Sequence, residues 1–578
     1  MKRWLRKHVF GTGKKSGGEI YPDEIFLDSS NLPAFDRSQF EGRIEKPISK
    51  KTFQFLGAAL LCVGFLFLAR VWTLQVADGA SYAQLSENNR LRRTIIFPER
   101  GIIFDRNNVE LAWNEPNPNE PFPLRRYGVF RGVAHVIGYV KKPARDASGN
   151  YYHEDFVGET GAEEAYNNEL SGNNGTKILE ANARGQVISE SVLEPPRDGT
   201  NVTLSIDAGI SGEFYDGMKE LAERVGFSGG AAVMLDVQTG ELLALVSYPE
   251  YDSNILSEGT NRGAIQKYLT NSQNPFLNRA TMGLYAPGST VKPYFAIGAL
   301  DARIITPEKK ILSTGSISIP NPFIPGAKSV FKDWRAHGWV DMRRALAVSS
   351  DVYFYEIGGG YLDQKGLGID AIDKYARLFG FGSETGLFGF SEQAGVIPTP
   401  AWKEENFTDG AWRIGNTYHT AIGQYGFQVT PLQEARAVAS LANDGVLPVP
   451  SLQKGGAGEK GISLPFSPNN IAVAREGMRL GVTEGILQAL NVPYVEVAAK
   501  SGTAEIGTAT KNYVNSWIIG FFPYEAPRYA FAIVMERGPV ANTTGALSVM
   551  RRVLDWMQVH RTEYFSARTE GGIAPALN

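Results

Sequence analysis

A serine and a lysine three residues apart, Ser289 and Lys292, stand in the run Ala286-Pro287-Gly288-Ser289-Thr290-Val291-Lys292-Pro293. Pro287 and Gly288 close the preceding segment, so the run predicts a helix that begins at Ser289, where free backbone N–H groups and the helix dipole favour developing negative charge. Lys292 at i+3 shares that face, and its amine can take the hydroxyl proton. One turn offers a nucleophile and a base for acyl transfer through a serine ester. The competing reading is a surface helix whose lysine stem lies along it and carries its charge to water.

Two further runs favour the chemical reading. Ser349-Ser350-Asp351 and Lys500-Ser501-Gly502-Thr503 follow downstream, giving the order S-x-x-K, S-x-N/D, K-[ST]-G that serine acyl-transfer sites of one type share. Ser349-Ser350-Asp351 by itself would also read as a helix cap. Lys292 serves as a base only in its neutral form, which burial and a second ammonium at Lys500 would both favour.

The chain has 578 residues, 43% hydrophobic and 21% charged, a composition for two to four folded domains. Its formal net charge of -3 gives no field for nucleic-acid binding. The single cysteine, Cys62, excludes a disulfide within the chain and a cysteine-ligated zinc. There are six histidines and none beside Ser289 in sequence, so a Ser-Lys arrangement needs fewer assumptions than a Ser-His-Asp triad. No cofactor motif is expected: Gly11-Thr12-Gly13-Lys14-Lys15-Ser16 lacks the spacing of a phosphate loop and follows no strand.

The elements that must hold these residues can be read in order. Residues 1–51 form a polar, basic tail, and 52–76 an almost wholly apolar run with Arg70 near its far end, long enough to span a hydrocarbon core of ~30 Å. The basic residues before it place the tail in the cytoplasm and the rest outside the membrane. Asp207 caps a helix to about Arg224; a hairpin spans Ala231–Asp236 and Glu241–Tyr248; strands recur over Val495–Ala504, Asn515–Phe522 and Tyr529–Met535; and an amphipathic helix runs from about Ala546 to Val559. Strands on both sides of a helical block from Tyr294 to Asn443 predict an α+β fold, its sheet assembled from both ends of the domain, with a cleft between sheet and helices.

Glu99-Arg100-Gly101-Ile102-Ile103-Phe104-Asp105-Arg106-Asn107, Ala134-His135-Val136-Ile137-Gly138-Tyr139, the stretch from Gly158 to Glu164 and Asn182-Ala183-Arg184-Gly185 stand upstream of the three catalytic runs. In this order the segments resemble class B penicillin-binding proteins, and Asp351 in place of Asn with Lys500-Ser501-Gly502-Thr503-Ala504-Glu505 resembles their elongation-type, penicillin-binding protein 2-like group. Trp412, Gly415-Asn416-Thr417, Ile422-Gly423-Gln424 and Thr430-Pro431-Leu432-Gln433 agree, with Asn416 where Asp is usual and Tyr425 where Gly is usual. The resemblance implies a penicillin-binding transpeptidase fold: a central antiparallel sheet with helices on both faces and a helical subdomain over 201–565, behind a β-rich pedestal over 77–200 and one transmembrane helix, with 566–578 a tail. The head insertion of the pedestal is reduced, since only about twenty Pro- and Asn-rich residues separate Leu111-Ala112 from Ala134.

The resemblance further implies a D,D-transpeptidase that cross-links peptidoglycan stem peptides and is a target of β-lactams. Ser289 carries the acyl group, Lys292 activates it, Ser349 and Lys500 pass the proton to the leaving amine, and Asp351 takes the usual Asn place. The backbone N–H groups of Ser289 and Thr503 form the oxyanion hole, while Lys500, Ser501 and Thr503 hold the peptide carboxylate on the strand around Gly502. No cofactor is implied; the partner is a SEDS-family, RodA-like glycan polymerase in the cytoplasmic (inner) membrane. A division-type transpeptidase, a D,D-carboxypeptidase or β-lactamase-type hydrolase, and a non-catalytic sensor or scaffold are the alternatives. His337 with Asp333 and Asp341 is a candidate two-carboxylate-plus-histidine metal set, and a buried or loop histidine is the default.

Overall fold

The computed structural model describes residues 49–182, 186–456, 460–508 and 511–565. Most of the basic tail, the Gly11–Ser16 run, Ala183–Gly185 and the segment 566–578 lie outside the described residues. Ser49 caps an α-helix over Lys50–Trp72 that continues as a π-turn over Thr73–Ala77. An 18-residue window of this stretch has mean hydropathy 2.1, and no side chain of Lys50–Trp72 is buried. It is one helix long and apolar enough to cross a membrane.

The remainder, from Arg93 to Leu179 and from Val187 on, forms a compact unit of its own. In its upstream part Ile103–Phe104, Glu110–Glu115, Leu124–Tyr127 and Val202–Thr203 make a four-stranded sheet, and residues 116–123 close one hairpin and bury Phe122 against Phe97 and Phe156. Glu163 is fully buried between Arg100 and Arg125, whose Nε atoms donate at 2.6 and 2.7 Å. The two guanidinium groups compensate the desolvated carboxylate.

The catalytic half is built on five strands: β1 (Gly229–Asp236), β2 (Leu242–Tyr248), β3 (Ala498–Thr508), β4 (Lys511–Phe522) and β5 (Tyr529–Pro539). Their order is β2-β1-β5-β4-β3, antiparallel throughout, so strands from either end of the domain meet at β1 and β5. Every residue of β1 is buried because both faces of the sheet are covered. Alternation sorts the side chains. Ala231, Val233 and Leu235 face one core with Phe295, Ala435 and Val438; Ala232 and Met234 face the other with Phe214, Met218, Val549 and Val553.

The second core is closed by α1 (Ala208–Val225) and, at the end of the chain, α7 (Ala546–His560). The first holds α2 (Lys292–Asp301), α3 (Met342–Val348), α4 (Asp351–Gly359), α5 (Pro431–Ala442) and α6 (Pro468–Thr483). The predicted capping of the first helix, the hairpin and the last helix appear within a few residues of the boundaries read from the sequence. β3 ends the sheet order and leaves one edge open beside the helical side.

Asp207 ties distant segments together. Its Oδ1 caps α1 by accepting from Gly209 N and Ile210 N, and its Oδ2 accepts from Asn107, Arg561 and Tyr564. Burial pushes this carboxyl up, but the Arg561 guanidinium and the donors around it outweigh burial and hold it below the usual range. Its stabilising contribution is present above the ordinary carboxylate pKa and is lost as pH falls through the lowered value. Asp207→Ala is expected to cost about 3 kcal/mol, since it removes a cap and strands Arg561. Thermal unfolding of the full chain in detergent checks this, and the difference between the two proteins should shrink at acidic pH.

Candidate active site

Ser289 sits in a single 3-10 turn, Gly288–Val291, that runs directly into α2. Sequence spacing placed it at the start of an α-helix; the tighter turn comes first because Gly288 enters it at φ +57°. This left-handed conformation suits glycine. The space where a Gly288 Cβ would stand is 2.7 Å from Thr503 O and 3.3 Å from Thr503 N, and that of a Gly502 Cβ is 2.6 Å from Pro287 O. The nucleophile turn lies against β3 with backbone on backbone. A third glycine backs it: Gly423 accepts from Gly288 N at 3.0 Å, and a Cβ there would meet Gly288 O at 2.1 Å. Trp517 Nε1 on β4 donates to Ala286 O at 2.9 Å and pins the approach to the turn.

Lys292 and Lys500 meet over one hydroxyl. Lys500 Nζ is 2.8 Å from Ser349 Oγ, and Lys292 Nζ donates to the same oxygen at 3.4 Å and to Ser349 O at 2.9 Å. Lys292 Nζ also pairs with Asp351 Oδ1 at 2.6 Å. Both lysines are buried, at 0% and 1% exposure. Asp351 compensates the Lys292 ammonium, whereas among the described residues Lys500 has the Ser349 hydroxyl and Ser501 O, each 2.8 Å away, as its hydrogen-bond partners. Burial, and then the neighbouring Lys292 charge, hold Lys500 well below the usual lysine range, with Asp351 opposing.

Ser349 reaches both amines from a backbone position few serines take. It terminates α3 at φ +57°, a left-handed geometry costing about 1 kcal/mol for a residue with a Cβ. Ser350 caps α4 by accepting from Tyr353 N. The two readings of Ser349-Ser350-Asp351 therefore hold together: the middle residue caps, and its neighbours face the lysines.

Asp333 and His337 take a different place from the metal reading. Asp333 Oδ2 accepts from Ser350 Oγ at 2.8 Å, Val352 N at 3.1 Å and Ser313 Oγ at 3.2 Å, and Oδ1 accepts from Trp334 N at 2.8 Å. Burial raises its pKa, yet these donors keep it below the ordinary carboxylate value. His337 Nε2 comes 3.4 Å from Asp333 Oδ1. Among the described residues no group of three or more His, Cys, Asp and Glu side chains could hold a metal ion. Asp333 instead anchors the start of α4, and no motif in the sequence marks that role.

Tyr425 adopts φ +63°, the conformation a glycine would take, and its ring is packed by Trp402, Phe407 and Trp412. Asn416 accepts from Arg413 N and from Lys403 Nζ, so the first turn of the helix Ile414–Ala421 closes on a neutral amide. Beyond Thr503 along β3 a cleft of about 420 Å³ opens between Tyr285, Gln424, Tyr425, Glu505 and Arg537. An extended peptide on the free β3 edge would run past the nucleophile turn into it.

Comparison with known proteins agrees with this geometry. Residues 230–555 match the penicillin-binding protein transpeptidase domain family, and 120–204 match the penicillin-binding protein dimerisation domain family. The chain therefore belongs to the penicillin-binding transpeptidase family, in its elongation-type, PBP2-like branch. The peptidoglycan D,D-transpeptidase MrdA of Escherichia coli is 30% identical, over 87% of this chain and 92% of its own. The solved Helicobacter pylori complex of PBP2 with MreC superposes with TM-score 0.68 at 26% identity, over 82% of this chain and 99% of that one. A solved structure described as a peptidoglycan synthase complex that coordinates polymerization and crosslinking gives TM-score 0.69 at 26% identity, over 91% and 100%.

A methyl group at Gly288 would need both a disfavoured φ and space taken by Thr503 O. Gly288→Ala is expected to slow covalent labelling by a fluorescent penicillin at least tenfold, because displacement of a reacting group by about 1 Å costs on the order of a hundredfold. Rapid-quench labelling followed by gel fluorescence measures it.

Proposed function

We infer that Ser289 is the acyl-carrying nucleophile of a peptidoglycan D,D-transpeptidase in which Lys292, Ser349, Asp351 and Lys500 move the protons. The observation that carries this reading is the shared hydroxyl: Ser349 Oγ stands between the two lysine amines, each drawn from a different part of the chain. Lys292 leaves the nucleophile turn and is tied to Asp351, so it can take the Ser289 proton only after handing one on. Ser349 Oγ and Lys500, which burial keeps ready to accept a proton, supply the path. Run in reverse, the path returns a proton to the leaving D-Ala amine.

The tetrahedral oxyanion takes the N–H groups of Ser289 and Thr503, a reading supported by the close approach of the Gly288 turn to Thr503, whose N is 3.3 Å from the place of a Gly288 Cβ. Ser501 and Thr503 hold the substrate carboxylate with Lys500, and Gly502 keeps β3 close to the turn. A penicillin acylates Ser289 by presenting its strained amide in place of the D-Ala-D-Ala bond. Residues 77–200 serve as a pedestal and 201–565 as the catalytic domain. Lys50–Ala77 anchors the chain in the cytoplasmic membrane with its N-terminus inside, and a RodA-like SEDS polymerase supplies the glycan strands.

Ser289→Ala should abolish covalent labelling by fluorescent penicillin, and persistent labelling overturns the assignment. Lys500→Arg keeps donors beside the carboxylate but puts a fixed cation where the path needs an amine that can accept a proton. It is expected to slow acylation by about 10²–10³, the scale of a lost general base. In the unsubstituted chain acylation should fall on acidification, as Lys500 becomes charged. Mass spectrometry of the products from lipid-linked precursor, a polymerase and this chain tests the cross-linking itself.

A further inference from the structure

Behind the nucleophile turn lies a buried carboxyl group that the acyl-transfer scheme does not use. Glu434 on α5 is fully buried, its Oε1 is 2.6 Å from Thr290 Oγ1 and its Oε2 accepts from Tyr294 OH at 3.1 Å. Thr290 immediately follows Ser289, and Tyr294 lies one turn further along α2. Glu434 thus grips the turn and the helix that carry the nucleophile and its base.

Counting protons decides the state of this group. Thr290 Oγ1 is also 3.0 Å from Pro287 O, so three oxygen–oxygen contacts are made. The Thr290 and Tyr294 hydroxyls bring two protons, and a carboxylate brings none. Burial keeps the Tyr294 phenol well above its usual range, so it retains its proton. Were Glu434 ionised, Thr290 would have to choose between Pro287 O and the carboxylate, leaving one short contact without a hydrogen. A carboxylic acid fills all three: Glu434 O–H donates to Thr290 Oγ1, Thr290 O–H donates to Pro287 O, and Tyr294 O–H donates to Glu434 Oε2.

We propose that Glu434, as a neutral carboxylic acid, is a positioning residue that locks the Pro287–Thr290 turn and so presents Ser289 for acylation. Its surroundings agree. Burial raises the Glu434 pKa to about 7 and the two hydroxyls oppose this only in part; among the described residues no charged side chain bears on it. The charged groups on the elements around α5 are engaged elsewhere. Lys292 of α2 pairs with Asp351, Glu536 of β5 with Arg279 and Tyr285, Arg475 of α6 with Asp444, and Asp236 of β1 accepts from Gln238 N and Thr239 N. On α5 itself Arg436 donates to Pro448 O, and on β4 the Tyr513 ring is covered by Arg537. A neutral group also spares the oxyanion site a like charge in a low-dielectric interior. Ionisation as pH rises through about 7 releases one hold on the turn.

The proposal rests on Ser289 as the nucleophile, and the experiment separates the two. Fluorescent penicillin acylation is followed by stopped flow from pH 6 to 8 on the full chain in detergent, for the unsubstituted protein, Glu434→Ala and Glu434→Gln. Glu434→Ala is expected to lower the acylation rate at least tenfold at pH 6. Glu434→Gln, whose amide donates to Thr290 at any pH, is expected to recover the rate to within about threefold. The unsubstituted protein should lose roughly tenfold relative to Glu434→Gln between pH 6 and 8, the factor by which a group of pKa about 7 ionises over that range. An infrared band of a buried carboxylic acid at pH 6 should vanish in Glu434→Gln. Superimposable pH profiles, or an unchanged rate in folded Glu434→Ala, overturn the proposal, and the profile comparison stands even where the alanine variant does not fold. Labelling that survives Ser289→Ala would instead overturn the nucleophile assignment.

Discussion

Two lysines buried side by side set the terms for this site. An ammonium group removed from water costs several kcal/mol, and two such groups near one another repel besides. The structure meets this by treating them unequally. Lys292 keeps a carboxylate partner in Asp351, while Lys500 is left with a hydroxyl and a carbonyl and is driven toward its neutral form. Asymmetry of this kind turns a repulsive pair into a donor and an acceptor of the same proton, with Ser349 between them.

That arrangement dictates much of the surrounding architecture. Ser349 must leave α3 in a left-handed conformation to reach both amines, and Asp333 fixes the first turn of α4 by collecting Ser350 Oγ, Val352 N and Ser313 Oγ on one oxygen. Lys500 comes from the edge strand, so the sheet and the helical block must be brought together at the nucleophile. Gly288, Gly423 and Gly502 allow this, since a side chain at any of them would hold the backbones apart. Sheet burial on both faces supplies a rigid base for the contact.

Elsewhere the same logic of compensated burial recurs with other outcomes. Glu163 remains an anion because two guanidinium groups meet it. Asp207 remains one because donors from three segments converge on it. Among the described residues Glu434 meets two hydroxyl groups and no charged side chain, the company in which the neutral acid we propose is favoured. Three buried acids in one chain thus differ in charge through what faces them, and the one beside the nucleophile is the one whose charge would do harm.

Local chemistry was written in the sequence. Capping by Asp207 and Ser350, the amphipathic run that became α7, the alternation in the β1–β2 hairpin and the apolar stretch after Ser49 all arise from neighbours within a turn or two. The three catalytic runs were legible for the same reason, each being a short string with a fixed internal geometry. Which lysine would be the proton acceptor was not legible, because it depends on Asp351 lying against Lys292 while Lys500 is left with Ser349 and Ser501 O, contacts set by packing between helix and strand. Nor did the strings mark Glu434 or Asp333, or the glycine Gly423, since an acid in a helix and a glycine in a loop have no special meaning until a partner far along the chain is placed against them. Order, spacing and periodicity determined the elements and the reacting groups; long-range contact alone decided their charges, because burial and nearby charge are properties of the folded surroundings.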